Sequence, residues 1–148
     1  MRKPKRNPII ERGAEYLTMG YLMRRNIRTY QARPNNPGYD FICVHPDPAK
    51  AKRKIRVQVK SRRSPDADKS ILLGRSLGGY DFLVAVLMNV GRGNPEFYTF
   101  PRAWVEAHHI RESWGRKLRL RQLPVEAYRN EEGFERIARA LGIPRPRA

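Results

Sequence analysis

Residues 38–61, GYDFICVHPDPAKAKRKIRVQVKS, are the stretch on which the reading of this chain turns. A turn glycine leads into an apolar run from Phe41 to Val44, then a basic loop, then a clean alternation. In that last part Ile55, Val57 and Val59 alternate with Arg56, Gln58 and Lys60, the period-2 pattern of a half-buried strand. Two strands joined by a basic loop are therefore expected. Asp40 stands at the mouth of the first, and Gln58-Val59-Lys60 closes the second. Gln58 and Lys60 share one face, about 7 Å apart at the rise of an extended strand.

Upstream, a helix is expected from Pro8, a residue suited to a first helical turn. It carries two apolar stripes, one of Ile10, Ala14, Leu17 and Tyr21, the other of Tyr16, Met19, Met23 and Ile27. A helix apolar on two sides is expected to be covered on two sides. Glu11 and Glu15 fall in the gap between the stripes, and Arg24 and Arg25 complement the dipole at its C-terminal end. A short strand around Ile27–Tyr30 and a turn in RPNNPG (33–38) precede the hairpin. Beyond it, SRRSPDADKS (61–70) is a polar loop and Ile71–Leu73 a short edge strand. Tyr80–Val90 is the most apolar segment and is expected to be a central strand. Gly91-Arg92-Gly93-Asn94 turns into a strand at Glu96–Phe100. Pro101 opens a helix to about His109, Lys117–Leu123 alternates weakly as a short strand, and a helix over Glu131–Leu141 ends at Gly142. The expected organisation is a disordered basic arm over residues 1–7, one α/β domain over residues 8–142, and a flexible tail over residues 143–148.

The chain has 148 residues, enough for one domain with a single core. Its longest apolar run, Phe82 to Met88, is far short of the roughly 20 residues of a membrane span, so no membrane partner is expected. The basic N-terminus lacks the apolar stretch of a secretory signal. Cys43 is the sole cysteine, which excludes an internal disulfide and a Cys-rich zinc site; it reads as a buried thiol in an apolar strand. These features point to the cytoplasm. The net charge is +17, and it is uneven: residues 1–63 hold 17 basic and 4 acidic side chains, residues 64–148 hold 14 and 10. An excess of that size and lopsidedness implies a polyanion partner, nucleic acid above all.

An acid, a carboxamide and an amine at the spacings of Asp40, Gln58 and Lys60 suit the metal-assisted cleavage of a phosphodiester. That reaction needs a hard divalent cation, and such cations take oxygen ligands. Asp40 supplies an anionic oxygen and Gln58 a neutral one. Lys60 can position or help deprotonate the attacking water and offset charge in the transition state. A helix glutamate, Glu11 or Glu15, would reach over to the same place. Taken singly, Asp40 is an ordinary turn residue, Lys60 an exposed strand lysine and Gln58 uninformative; their order and spacing together carry the reading. Asp81 repeats the Gly-Tyr-Asp triplet, but no acid-or-Gln-x-Lys follows it, and it reads as a strand-start residue. His45, His108 and His109 read as surface or helix-end histidines. Lys50, Lys52, Arg53 and Lys54 in the hairpin loop, with Arg62 and Arg63 after the lysine, are candidate nucleic-acid contacts. Ser61 and Arg75 are further candidates for touching phosphate.

A glutamate on a first helix (GAEY, Glu15), an aspartate at the mouth of a strand (PGYDFICVH, Asp40) and IRVQVKS on the next strand (Gln58, Lys60) together resemble the PD-(D/E)xK nuclease superfamily. The later YDFLVAV and EFYTFPRAWV also resemble small bacterial members, and the likeness covers roughly residues 9–110. It implies a restriction-endonuclease-like core, a mixed central β-sheet flanked by helices. It implies a Mg2+- or Mn2+-dependent endodeoxyribonuclease with Glu15, Asp40, Gln58 and Lys60 as catalytic residues. The metal ligands would be Asp40, Gln58, the Val59 carbonyl and Glu15, the last preferred to Glu11 on the GAEY match. Duplex or branched DNA would be the substrate, with 5′-phosphate and 3′-hydroxyl products. Cutting two strands would call for a homodimer. The chain departs from the family at Gln58, where Glu or Asp is usual and where a carboxamide removes one negative charge. A catalytically silent nucleic-acid-binding module with the same fold is the competing expectation, and a basic RNA-associated protein the third.

Overall fold

The computed structural model describes residues 6–33 and 38–147. The turn expected in RPNNPG and most of the expected N-terminal arm lie outside the described residues. Helix α1 spans Pro8–Arg24; Asn7 caps it, accepting a hydrogen bond from the Ile10 N–H at 3.2 Å, and Pro8 occupies its first turn. Strands β1 (Arg28–Gln31), β2 (Phe41–Val44), β3 (Ile55–Arg62) and β4 (Ser70–Gly74) follow. Then come β5 (Phe82–Leu87), β6 (Glu96–Pro101), helix α2 (Arg102–His108), β7 (Ile110–Glu112), β8 (Gly115–Arg119) and helix α3 (Asn130–Ala140).

Five strands form one mixed sheet in the order β1-β2-β3-β5-β6. All its neighbours are antiparallel except β3 and β5, which run parallel. This is the expected mixed α/β architecture, with β3 in the middle and the apolar β5, an expected central strand, in the interior beside it. Composition pointed to β5 because its two faces are both covered: Val84 and Val86 belong to one core, Leu83, Ala85 and Leu87 to another. The first core is capped by α1 and α3, through Ala14, Leu22, Phe134 and Ile137. The second is closed by α2 and by a separate three-stranded sheet, β4-β8-β7. The expected edge strand at Ile71–Leu73 is an edge strand of this smaller sheet. Its partner β8 begins two residues earlier than the expected Lys117, and β7 was not anticipated. After Arg119 the chain leaves the ladder in a short 3₁₀ turn at Leu120–Gln122, which truncates the strand expected to run to Leu123.

The two-sided covering expected for α1 does not occur. The face bearing Ala14, Thr18, Met19 and Leu22 is buried, and Thr18 is accommodated there by donating its hydroxyl to the Ala14 carbonyl at 2.8 Å. Tyr16 and Met23 are about half exposed, because the main sheet packs on one side of the helix only.

One register feature sets up the site. Phe41 of β2 and Phe82 of β5 are both paired with Val57, one on each edge of β3. From that point β2 runs back toward Ile55 while β5 runs forward to Arg62. The C-terminal half of β3 therefore has β5 on one edge and no β2 residue on the other.

Candidate active site

Asp40 sits where β2 leaves β3. Its backbone N–H donates to the Val57 carbonyl at 2.8 Å, and its own carbonyl accepts from the Ala32 N–H at 2.9 Å. With the backbone clamped on both sides, the side chain turns along the vacated edge, and Oδ2 accepts the Val59 N–H at 2.7 Å. The N–H and C=O of one strand residue project to the same edge, so the Val59 carbonyl faces the side that Asp40 occupies. Gln58 and Lys60 project from one face of the same strand. Helix α1 crosses above and brings its first two turns to the opening. The result is a cavity of about 710 Å³ whose lining includes Glu15, Asp40, Gln58, Val59 and Lys60. The four side chains and the backbone group singled out from the sequence thus share one cavity.

Both carboxyls titrate above their usual range. Burial raises Asp40, and Glu11 adds to the rise; the Val59 N–H, Lys60 and Arg12 pull the other way without cancelling it. Burial also raises Glu15, followed by the negative charge of Asp40, with Arg12 opposing and Glu11 reinforcing. Burial is the largest cause of both shifts, and the charge of Asp40 adds to that of Glu15. Their neighbour Glu11 differs, since its carboxylate is paired with Arg6 at 2.9 Å. Among the described residues Glu15 has no ion-pair partner, which leaves it the more available acid of the two.

The oxygen set of Asp40, Glu15, the Gln58 carboxamide and the Val59 carbonyl is the kind that a hard divalent cation takes. Such a cation would relieve the repulsion that raises Glu15. The set is sparse in charge: among the described residues, no group of three or more His, Cys, Asp or Glu is disposed to hold a metal ion. The residues present fit a cation held by two carboxylates and neutral oxygens.

Of the candidate nucleic-acid contacts, Arg62 and Arg63 line the cavity, as does Ser61. Arg62 is tied down there, donating to the Ser64 and Ser70 carbonyls at 3.1 and 3.3 Å and lying 3.6 Å from Asp66. Lys50, Lys52, Arg53 and Lys54 do not reach the cavity. They precede Ile55, so most of the length of β3 separates them from Lys60, and Arg53 is engaged in capping α3 through the Ala140 carbonyl at 3.0 Å. Glu11, the alternative to Glu15, lines the cavity as well, and so do Arg6 and Arg12, which were not singled out for it. The only sequence cue to them was their place in and before the first helical turn ahead of Glu15. A shallower depression of about 810 Å³ along the outer face of α1, lined by Tyr16, Leu17, Gly20 and Tyr21, holds one carboxylate, Glu131, which is paired with Arg24 at 2.9 Å. It carries no comparable chemistry.

Asp81 behaves as a strand-start residue. Its Oδ2 accepts the Arg56 backbone N–H at 2.8 Å, and its Oδ1 lies 3.1 Å from the Arg56 guanidinium. His45 is buried and its Nδ1 accepts the Asp47 N–H at 3.0 Å; His108 and His109 contact helical carbonyls one turn back. None of the three histidines lines the cavity.

No known protein family matches the sequence, and no curated protein matches it. Among solved structures, a bacterial homing endonuclease matches with a TM-score of 0.65 over 94% of this chain and 96% of that one, at 17% identity. The chain therefore shares the fold of that protein across nearly its whole length.

Proposed function

We propose that this chain is a divalent-metal-dependent endonuclease of the PD-(D/E)xK type, hydrolysing phosphodiester bonds of duplex or branched DNA in the cytoplasm. The observation that carries the reading is the seating of the Asp40 carboxylate on the Val59 N–H, in one cavity with Glu15, Gln58 and Lys60. The fold shared with a homing endonuclease supports it, as does the net charge of +17. Asp40 and Glu15, with the Gln58 and Val59 oxygens, would hold Mg2+ or Mn2+. The bound cation supplies Lewis-acid stabilisation of charge on the phosphoryl group. The protein's own groups do the rest. The Val59 N–H fixes the Asp40 carboxylate so that it need not reorganise. Lys60 holds the attacking water and offsets negative charge as the phosphorus centre becomes five-coordinate. Arg12 and Arg63 line the route by which the scissile phosphate enters. Cutting two strands calls for two such cavities, which we assign to a homodimer.

Nicking of supercoiled plasmid tests the reading. The wild type is expected to nick with Mg2+ or Mn2+ and not with chelator, and Asp40→Ala and Lys60→Ala are expected to abolish nicking. Gln58 and the absence of a three-acid cluster among the described residues favour one alternative, a binding module that has lost catalysis. Tight DNA binding by the wild type with no cleavage in any divalent ion would establish that alternative instead.

A further inference from the structure

The second sheet ends in a two-residue hairpin. Glu112 of β7 pairs with Gly115 of β8, and Ser113 and Trp114 form the tip between them. Around that tip lies a pocket of about 240 Å³ whose lining includes Arg75, Arg111, Trp114 and Arg116. Its one acid, Glu112, is occupied by Lys117 at 2.9 Å and faces Arg119 at 3.8 Å. Among the described residues no carboxylate pairs with Arg75, Arg111 or Arg116. Three arginines therefore line the pocket with no carboxylate of their own; Arg116 donates to the Arg75 carbonyl, and Arg75 and Arg111 are exposed. Like charges gather at a solvent-facing site at a cost that a bound anion removes.

The pocket also adjoins the cavity. Gly74, the last residue of β4, lines the cavity, and the next residue, Arg75, lines the hairpin pocket. Gly115 fixes this junction. Its φ is +152°, and a Cβ there would fall 2.7 Å from the Gly74 carbonyl oxygen, so the hairpin is pressed directly onto the cavity wall. A polyanion lying over the cavity meets the hairpin next.

The geometry points to the β7–β8 tip as a second phosphodiester-binding site for the same nucleic acid, with Arg75, Arg111 and Arg116 on the phosphate and the Trp114 indole against the adjoining nucleoside. Guanidinium groups suit phosphate because they offer planar, bidentate donors, and an indole offers a stacking face to any base. This assignment rests on the proposed nucleic-acid substrate but not on catalysis. It also relocates the positive charge that matters, from the Lys50–Lys54 loop to the end of β4.

Binding of a labelled duplex in chelator, where no cleavage competes, tests the assignment at several salt concentrations. The exposed pair is replaced together, Arg75→Ala with Arg111→Ala, and compared with a variant carrying alanines at Lys50, Lys52, Arg53 and Lys54. Loss of two phosphate contacts should flatten the slope of log affinity against log salt by about 2, and the loop variant should change it less. Tryptophan emission should be quenched by duplex, and Trp114→Phe should remove that quench. Inorganic phosphate at matched ionic strength should leave emission unchanged. An unchanged slope in the arginine variant, or a quench produced by phosphate and not by duplex, overturns the assignment. A wild type that binds and fails to cleave would sink the catalytic proposal and leave this one standing; a wild type that binds no nucleic acid sinks both.

Discussion

The chain writes Gly-Tyr-Asp-Phe twice, at residues 38–41 and 79–82, and places the two copies on opposite edges of one strand. Phe41 and Phe82 are both in register with Val57, and Asp40 and Asp81 both donate their backbone N–H to β3 and accept a β3 N–H on Oδ2. The copies even touch: a Cβ on Gly38 would fall 2.4 Å from the Gly79 nitrogen. Their electrostatic fates are opposite. Burial raises both carboxyls, but Asp81 takes Arg56 as partner, and hydrogen bonds and charge from Arg56, with a further contribution from Arg53, bring it below its usual range. Burial of Asp40 is opposed by the Val59 N–H and by the charges of Lys60 and Arg12 without being cancelled, Glu11 reinforces it, and the carboxyl stays above its range. The same local sequence is structural where an arginine closes it and chemically unsatisfied where the neighbouring strand departs. Strand direction decides which: β5 continues along β3 beyond Val57, and β2 turns back.

Substitutions that exchange these two fates give the largest effects. Asp40→Ala or Lys60→Ala should lower plasmid nicking by on the order of 10²–10³-fold, the scale of losing one transition-state group, while Asp81→Ala leaves it within a few fold. Equal losses in all three would mean that the two edges of β3 are not distinct.

The contact between the copies is the next most sensitive point. Gly38 has φ +96° and no room for a side chain, so Gly38→Ala should cost about 2 kcal/mol or more in denaturant unfolding. An unchanged midpoint would show that the two turns do not pack as described.

Titration separates the copies more finely. A raised carboxyl contributes stability below its unfolded pKa that is lost as pH rises through its folded value; a lowered one contributes stability at neutral pH that is lost as pH falls through its folded value. Asp40→Asn should therefore raise Tm without metal at neutral pH, by a margin that closes on acidification. Asp81→Asn should lower Tm at neutral pH, with a stability loss of about 1 kcal/mol or less for so exposed a pair, and that deficit should also vanish on acidification. Shifts of the same sign in the two variants would contradict the assignment of their environments.

The smallest effect concerns the departure at position 58. Gln58→Glu adds a third carboxylate beside two that already titrate high. It should tighten Mn2+ binding several-fold while lowering Tm in chelator, and a variant with neither change would place residue 58 outside the ligand set.

Much of this was legible because it is local. The start of α1 at Pro8, the alternation in β3 and the aspartate at the mouth of β2 all follow from backbone periods and turn residues. The Lys50–Lys54 loop reads from the sequence as flanking the site, yet six or more residues of extended chain, about 20 Å, set most of it apart from Lys60. The second sheet was not legible, because β4 pairs with a strand some 45 residues away and β7 is three residues long. Nor was the recruitment of Arg6 and Arg12, which depends on the angle at which α1 crosses β3. The exposed stripe of Tyr16 and Met23 misled for the same reason: apolarity shows that a helix face can be covered, and only the placement of its neighbours shows whether it is.

Manganese binding measured calorimetrically at neutral pH tests the central claim most directly, with wild type, Asp40→Asn and Asp81→Asn compared side by side. The account predicts binding in the wild type, the same affinity in Asp81→Asn, and none detectable in Asp40→Asn. Undiminished binding in Asp40→Asn, or no binding in the wild type, would contradict it.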